Sequence, residues 1–149
     1  MIDITHRVRA TPAELFAVLA DGWSFAGWVV GASHIRAVDP GWPAPGSRIH
    51  HSVGPWPLSI QDTTTVVAVE PDTLMELDAR MWPVGAARVR IALTPLPDGT
   101  EGHFAEELVR GPGRVLPVRL QAPLLAPRNH ESVRRLEAMA LGRAGAPDD

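Results

Sequence analysis

Apolar and polar positions follow two different periods along the N-terminal part of this chain, and each period predicts a different element. Residues 2–8 alternate between apolar and polar side chains, as a half-buried strand requires. Thr11, Pro12 and Glu14 then form the pattern of a capping box with proline in the first helical turn, which predicts a helix of about two turns. Residues 24–30, with Ser24 as the cap, predict a second short helical segment.

The central part of the chain has the alternation of antiparallel strands, interrupted by turns rich in Gly and Pro. Six strands are predicted: 34–38, 48–53, 59–70, 74–82, 87–93 and 100–109.

The clearest hairpin joins residues 74–82 to residues 87–93. Its apolar face is predicted to carry Met75, Leu77, Ala79 and Met81, facing Ala87, Val89, Ile91 and Leu93. The opposite face carries charges of both signs, which are expected to form ion pairs across the two strands: Glu76, Asp78 and Arg80 against Arg88 and Arg90.

The last element is predicted to be a helix over residues 128–142. Val133, Leu136 and Ala140 recur at helical spacing and form one apolar stripe, and Gly142 is expected to stop the helix. Three prolines precede it, so residues 115–126 form either a separate helical piece or a kinked approach.

This order of elements predicts an α+β fold: one strand, two short helices, six strands and a long C-terminal helix. A curved seven-stranded antiparallel sheet with one apolar face needs a cover, and the last helix is the one predicted element long enough to supply it. A helix of that length spans about 20 Å, too little to fill the space over seven strands. A cavity between the sheet and the C-terminal helix is therefore expected.

Length, charge and composition limit the number of domains, the kinds of partner and the kinds of chemistry that the chain can have. The 149 residues fit a single domain over residues 1–142, with residues 143–149 as a flexible tail. A net charge of -3 argues against nucleic acid as a partner, and the absence of Cys excludes thiol nucleophiles and thiolate metal sites. No stretch approaches the ~18 apolar residues of a membrane span, so a cytoplasmic location is expected.

Five segments make the chain similar to the SRPBCC superfamily of helix-grip proteins, within its branch of polyketide cyclases/dehydrases and lipid transport proteins. They are residues 11–21 after the first strand, residues 28–31, residues 40–48, Gly99-Thr100 and Arg128-Asn129. The resemblance implies a helix-grip fold with a hydrophobic tunnel. It leaves function broad, since members bind lipids, hormones or polyketides and some catalyse cyclisation.

Glu106 is the best-placed candidate for chemistry. The spacing of two from Phe104 to Leu108 points its side chain toward the apolar side of the last strand. A desolvated carboxylate there would serve as the general base that a cyclase needs. The alternative is that Glu106 reaches water or an Arg near the end of the strand.

The histidines do not predict a metal site. His50 and His51 are neighbours on one strand and face opposite sides, so they cannot share one ion. If Ile49 faces inward, then His51 lines the cavity and His50 is exposed. His6 and His103 are ambiguous in the same way, and His130 lacks the second His of a zinc-protease helix. No metal and no cofactor are expected.

The strand over residues 59–70 leaves two inward faces open. Either Asp62 and Thr64 point to the cavity, or Gln61, Thr63 and Thr65 do. Five tryptophans add aromatic surface close to the turns, and one or more of them is a candidate for ligand contact: Trp23, Trp28, Trp42, Trp56 and Trp82.

The sequence favours binding of a hydrophobic small molecule, lipid-like or polyketide-like, in the predicted cavity. The expected ligand-binding residues are Trp28, His51, Met75, Leu77, Ala79, Met81, Val89, Ile91, Phe104, Glu106, Val133 and Leu136. Two alternatives stay open: an aromatase/cyclase-type enzyme with Glu106 or His51 as acid or base, and a module that docks a protein through Trp-rich loops. The sequence does not predict an oligomeric state.

Overall fold

The described part of the chain, in a computed structural model, forms seven strands and three helices. It comprises residues 2–29, 32–53, 60–81, 85–111, 115 and 118–144, with the backbone alone described for residues 2, 32–34, 53, 60, 61, 81, 118, 120–125 and 144. The strands are β1 (Ile2–Val8), β2 (Ala32–Val38), β3 (Arg48–Val53), β4 (Ile60–Glu70), β5 (Leu74–Met81), β6 (Gly85–Leu96) and β7 (Gly99–Arg110). The helices are α1 (Pro12–Leu19), α2 (Phe25–Trp28) and α3 (Val118–Ala144).

All seven strands belong to one antiparallel sheet in the order β1-β7-β6-β5-β4-β3-β2. From β2 to β7, each strand pairs with the next strand along the chain. The first strand, β1, pairs with the last strand, β7, with Ile4 opposite Phe104. Register shifts interrupt the ladders between β2 and β3, β4 and β5, and β6 and β7. Such irregularities bend strands. The predicted α+β fold with one seven-stranded sheet is confirmed.

The start of α1 forms as its sequence predicts. The Thr11 hydroxyl accepts a hydrogen bond from the Glu14 amide at 3.2 Å, and the Glu14 carboxylate accepts one from the Thr11 amide at 2.8 Å. At the C-terminal end of α1, the indole of Trp42 donates a hydrogen bond to the carbonyl of Leu19 at 3.1 Å, so this carbonyl has a partner outside the helix.

The second helical segment differs from its prediction. A 3-10 turn, Gly22–Ser24, comes first, and α2 follows it without a side-chain cap. Ser24 was the expected cap, but its hydroxyl donates to the carbonyls of Val18 and Asp21 at 3.1 and 2.8 Å. The hydroxyl is therefore used to close the turn between α1 and α2.

The hairpin of β5 and β6 has the predicted register. Met75 lies opposite Ile91 and Leu77 opposite Val89, and the apolar side chains turn to one face. That face, with Phe104 and Leu108 of β7, is called the inner face below.

The predicted ion pairs of this hairpin are wrong. Asp78 lies opposite Arg88, yet its carboxylate accepts two hydrogen bonds from Arg110 of β7 at 3.0 and 3.1 Å. Arg80 pairs with Asp62 of β4 at 3.3 Å. Long Arg side chains reach past the directly opposite position, so the pairs link β5 to other strands.

Helix α3 is much longer than predicted. It begins at Val118 instead of residue 128 and has 27 residues, about 40 Å. Of the preceding segment, left open as a separate helical piece or a kinked approach, residues 118–126 are continuous with the helix, so Pro123 and Pro127 lie inside it. Gly142 also lies within the helix and is not its stop, because α3 continues to Ala144. The predicted tail thus starts inside the last turn, and residues 145–149 lie outside the described residues.

One hydrophobic cluster connects the inner face to the helices. Val133, Leu136 and Ala140 of α3 are buried in it, as the stripe predicted. The packing partners of α3 are β1, α1 and α2. Among the helices that the structure describes, none is long and apolar enough to cross a membrane.

Candidate functional site

The predicted ligand-binding residues converge on the inner face and its helical cover. Nine of the twelve are buried: Trp28, His51, Met75, Leu77, Ile91, Phe104, Glu106, Val133 and Leu136. Ala79 and Val89 are half-buried, and the side chain of Met81 lies outside the described residues. Since these residues come from β3, β5, β6, β7, α2 and α3, the fold gathers them from distant parts of the chain.

Glu106 points inward as its alternation predicts and is 1% exposed. Its carboxylate accepts hydrogen bonds from the Arg128 guanidinium and, at 2.8 Å, from the Asn129 amide, both on α3. The hypothesis of an unpaired general base is therefore wrong, and the alternative that Glu106 reaches an Arg is correct. These hydrogen bonds connect β7 to α3 in the interior.

Asn129 is a site residue that the sequence reasoning missed. It is 3% exposed, and it precedes Val133 by four residues, so it continues the buried stripe of α3 by one turn. A polar residue on an apolar stripe was the signal that could have found it. Arg128 and Asn129 together form one of the segments that carry the family resemblance, but the resemblance does not identify them as partners of Glu106.

His51 lies on the inner face of β3, as predicted when Ile49 faces inward. Directly opposite it on β4 is Asp62. Its Nε2 is 2.9 Å from the hydroxyl of Thr64, and its ring stacks on Phe25 of α2 with centroids 5.7 Å apart. Thr64 is 1% exposed. Of the two sets left open on this strand, the one that contains Thr64 therefore lies on the inner face, although the carboxylate of its other member, Asp62, is paired with Arg80.

The other ring nitrogen of His51 has a different environment. Nδ1 is buried and has no hydrogen-bond partner in the part of the chain that the structure describes. Burial lowers the pKa of His51 below 6.5, and the charges of Arg36 and His50 lower it further against the opposing effect of Asp62. His51 is therefore a neutral imidazole at neutral pH.

His50 faces away from His51 and pairs with Asp39 at 3.0 Å. Its side chain is half-buried in this pair, not fully exposed as expected. The hydrogen bond from His50 lowers the pKa of Asp39, and the backbone amide of Arg48 donates to the same carboxylate at 3.0 Å.

His6 and His130 form a second pair of rings, between β1 and α3. Their Nε2 and Nδ1 atoms are hydrogen-bonded, and the ring centroids are 4.7 Å apart. Burial lowers the pKa of His6, and the neighbouring His130 and Arg134 add to this effect while Glu137 opposes it. The ambiguous orientation of His103 is also settled, since it pairs with Asp3 at 3.3 Å on the exposed side of the sheet.

The two buried polar groups of the inner face lie at different places in the sheet. Glu106 is on β7 beneath α3, whereas His51 is on β3 beneath α2, and three strands separate them in the sheet order. No described contact joins them. They therefore act as two separate polar positions in an apolar interior and do not form one acid–base pair.

The tryptophans differ in burial and in their contacts. Trp28 is 3% exposed and packs edge-on against Phe25, whereas Trp23 is 61% exposed. Trp42 is held by its bond to Leu19. Trp56 and Trp82 lie outside the described residues. Within the described ranges, no group of three His, Asp or Glu side chains is placed to hold a metal ion.

Comparison with known proteins gives a consistent result. A family model described as "Polyketide cyclase / dehydrase and lipid transport" matches residues 1–140. A search of curated protein sequences gave no significant match.

Many solved structures resemble the fold. One from Rhodobacter sphaeroides has a TM-score of 0.72 at 21% identity and covers 94% of this chain and 91% of its own. Ara h 8.0201 has a TM-score of 0.72 at 14% identity, with 95% and 97% covered. The di-domain ARO/CYC protein StfQ from the steffimycin biosynthetic pathway has a TM-score of 0.70 at 14% identity, with 97% of this chain and 51% of its own covered. At these identities the likeness concerns the fold alone.

Proposed function

Because the chain belongs to the polyketide cyclase / dehydrase and lipid transport family, we propose that it binds a hydrophobic small molecule, lipid-like or polyketide-like, between the inner face of the sheet and its helical cover. The ligand would contact the apolar residues of β5, β6 and β7 and the polar groups beside them.

The observation that supports this function is the burial of polar side chains on an otherwise apolar face. Glu106 and Asn129 form one such group, joined by the half-buried Arg128, and His51 with Thr64 forms the other. Polar and charged groups in a protein interior cost stability relative to well-packed apolar residues. A face that served packing alone would gain by replacing them, so their presence favours recognition of a ligand.

The free energies of ligand burial and of association indicate why polar groups in the site matter for affinity. Burying about 300 Å² of apolar ligand surface provides about 7 kcal/mol. Association costs at least about 4 kcal/mol. The remainder, about 3 kcal/mol, corresponds to a dissociation constant of several millimolar, and two hydrogen bonds of about 1.5 kcal/mol each would lower it to tens of micromolar.

Native mass spectrometry of the purified protein, combined with a titration of the neutral dye Nile red, tests the proposal. We expect co-purified small molecules, or saturable dye fluorescence at one site per chain. A folded protein by circular dichroism that carries no ligand and binds no dye contradicts the proposal. That result favours the alternative of a module that docks a protein partner, here through the region of the exposed Trp23.

A second function, aromatase/cyclase-type proton transfer, is favoured by the neutral state of His51. With Nε2–H donating to Thr64, Nδ1 can take the proton from the carbon next to a ligand carbonyl and leave an enolate. Glu106 is unsuited to this role because Arg128 and Asn129 bind its carboxylate.

Deuterium exchange at the α-carbons of 4-phenyl-2-butanone, followed by NMR, tests the second function. We expect the protein to accelerate exchange and His51→Gln to abolish the acceleration, with Glu106→Gln retaining most of it. Exchange no faster than in buffer contradicts proton transfer and leaves the binding function intact.

A further inference from the structure

His51 is held in one orientation by two neighbours. Its Nε2 is 2.9 Å from the Thr64 hydroxyl on β4, and its ring plane is 23° from that of Phe25 on α2. Both His51 and Thr64 are at least nine-tenths buried, at 3% and 1% exposure. The position of Nδ1 in the interior is therefore fixed by the fold.

Nδ1 needs a partner that the described residues do not supply. Leaving a buried ring nitrogen unpaired is costly, and interiors rarely tolerate it. His51 also lies beside the apolar face on which the proposed ligand would lie. A polar group of the ligand is the natural partner for Nδ1.

The tautomer decides which ligand group fits. If Nε2–H donates to Thr64, Nδ1 is an acceptor; if the Thr64 hydroxyl donates to Nε2, Nδ1–H is a donor. A ligand hydroxyl can donate in the first case and accept in the second. A carbonyl or a carboxylate, having no proton to donate, fits the second case alone.

The surroundings of His51 supply little to attract an anionic ligand. Burial lowers the pKa of His51, so the ring brings no positive charge at neutral pH. Asp62 lies directly opposite on β4 with its carboxylate paired to Arg80, and the exposed Arg36 is directed to the backbone carbonyl of Asp62. The guanidinium of Arg128 is bound to Glu106 at the other polar group.

We infer that His51 and Thr64 form a binding position for a ligand hydroxyl group, so that the protein prefers neutral phenols and alcohols to carboxylates of the same skeleton. This inference rests on the proposed function, because it names the ligand class of the same interior site.

Displacement of Nile red from the full chain at pH 7.5 by three matched compounds tests it: 2-naphthol, naphthalene and 2-naphthoate. We expect 2-naphthol to displace the dye at a roughly tenfold lower concentration than either of the others, the effect of one hydrogen bond to a buried neutral group. Equal displacement by 2-naphthol and naphthalene overturns the inference, as does strongest displacement by 2-naphthoate or no displacement by any of the three.

Two variants locate the effect. His51→Phe keeps an aromatic ring against Phe25 and removes the nitrogen, so the preference for 2-naphthol over naphthalene should fall to about one while naphthalene still binds. His50→Phe alters the neighbouring histidine that pairs with Asp39 on the other side of β3, and the preference should persist. A preference that survives in His51→Phe overturns the inference. The absence of Nile red binding to the unaltered protein is a different result, since it contradicts the proposed function itself.

Discussion

Glu106 shows at the scale of single residues how a buried charge can tie two elements together. Its carboxylate lies on β7, and the two groups that bind it, Arg128 and Asn129, lie on adjacent residues of α3. The Arg128 side chain is 28% exposed, so water reaches the cation but not the anion. Replacing Arg128 and replacing Glu106 should therefore change the free energy of unfolding by different amounts.

Arg128→Met should destabilise the protein by about 3 kcal/mol, because it leaves a buried carboxylate without its cation. Glu106→Gln should cost less, since the partly exposed guanidinium can turn to water. The double variant should recover much of the loss. Urea unfolding of the three variants at pH 7.5 measures these differences.

Arg135→Met is the matched control on the same helix. Arg135 pairs with Glu131 on the exposed side of α3, and its loss should change stability by less than about 0.5 kcal/mol. Equal effects of Arg128→Met and Arg135→Met would show that the Glu106 pair does not anchor α3.

The lowered pKa of His51 predicts that the free energy of unfolding depends on pH. Burial lowers its pKa below 6.5 in the folded protein, so the unfolded chain binds a proton at His51 where the folded chain does not. Stability from this group is present above about pH 6.5 and is lost as pH falls toward the folded value, by at most about 1.4 kcal/mol per pH unit. His6 contributes in the same direction.

Urea unfolding at pH 7.5, 6.5 and 5.5 checks this dependence. His51→Phe should reduce the loss of stability between pH 6.5 and 5.5. The same pH profile in His51→Phe and in the unaltered protein would contradict the buried, neutral state of His51.

Alternation along single strands was sufficient to predict that Glu106 and His51 point inward. It could not identify their partners. Arg128 and Asn129 are more than twenty residues from Glu106 in sequence, and Thr64 and Phe25 lie on other elements from His51. Which side chains meet depends on how α3 and α2 pack on the sheet, and local periodicity contains no such information.

At the scale of elements, α3 departs furthest from its prediction. Each proline within a helix removes one backbone donor and crowds the preceding turn, so a sequence reading places the start of the helix after Pro127. In the structure the helix continues through both prolines to Val118. The strands were predicted to within a few residues because their alternation is local and uninterrupted.

Two glycines give a test of the element boundaries. Gly85 opens β6 with a φ of +128°, and a Cβ there would lie 1.7 Å from the Arg110 carbonyl oxygen of β7. Gly85→Ala should therefore destabilise by about 3 kcal/mol. Gly142 lies within α3, and a Cβ there meets nothing within 4 Å.

Gly142→Ala should stabilise the protein by about 0.5–1 kcal/mol, since alanine loses less conformational entropy in a helix. Thermal unfolding of both variants measures the two effects. Destabilisation by Gly142→Ala would mean that Gly142 is the stop of α3, as the sequence alone predicted.

At the scale of the whole molecule, the order of elements was predictable and the filling of the interior was not. One strand, two helical segments, six strands and a long helix follow from local patterns, and the structure has these elements with all seven strands in one antiparallel sheet. Whether a cavity remains beneath α3 depends on the combined volume of side chains from six elements. Binding must therefore be measured.

The central claim is that a small molecule binds against the inner face. Ala79→Trp places a large side chain on that face, while Arg90→Trp places the same side chain on the exposed face of the neighbouring strand. Nile red titrations of both variants, with folding checked by circular dichroism, compare them directly. We predict that Ala79→Trp weakens dye binding at least about tenfold, a loss of 1.4 kcal/mol or more, and that Arg90→Trp leaves it unchanged. Equal dye binding by the two folded variants would contradict an interior site.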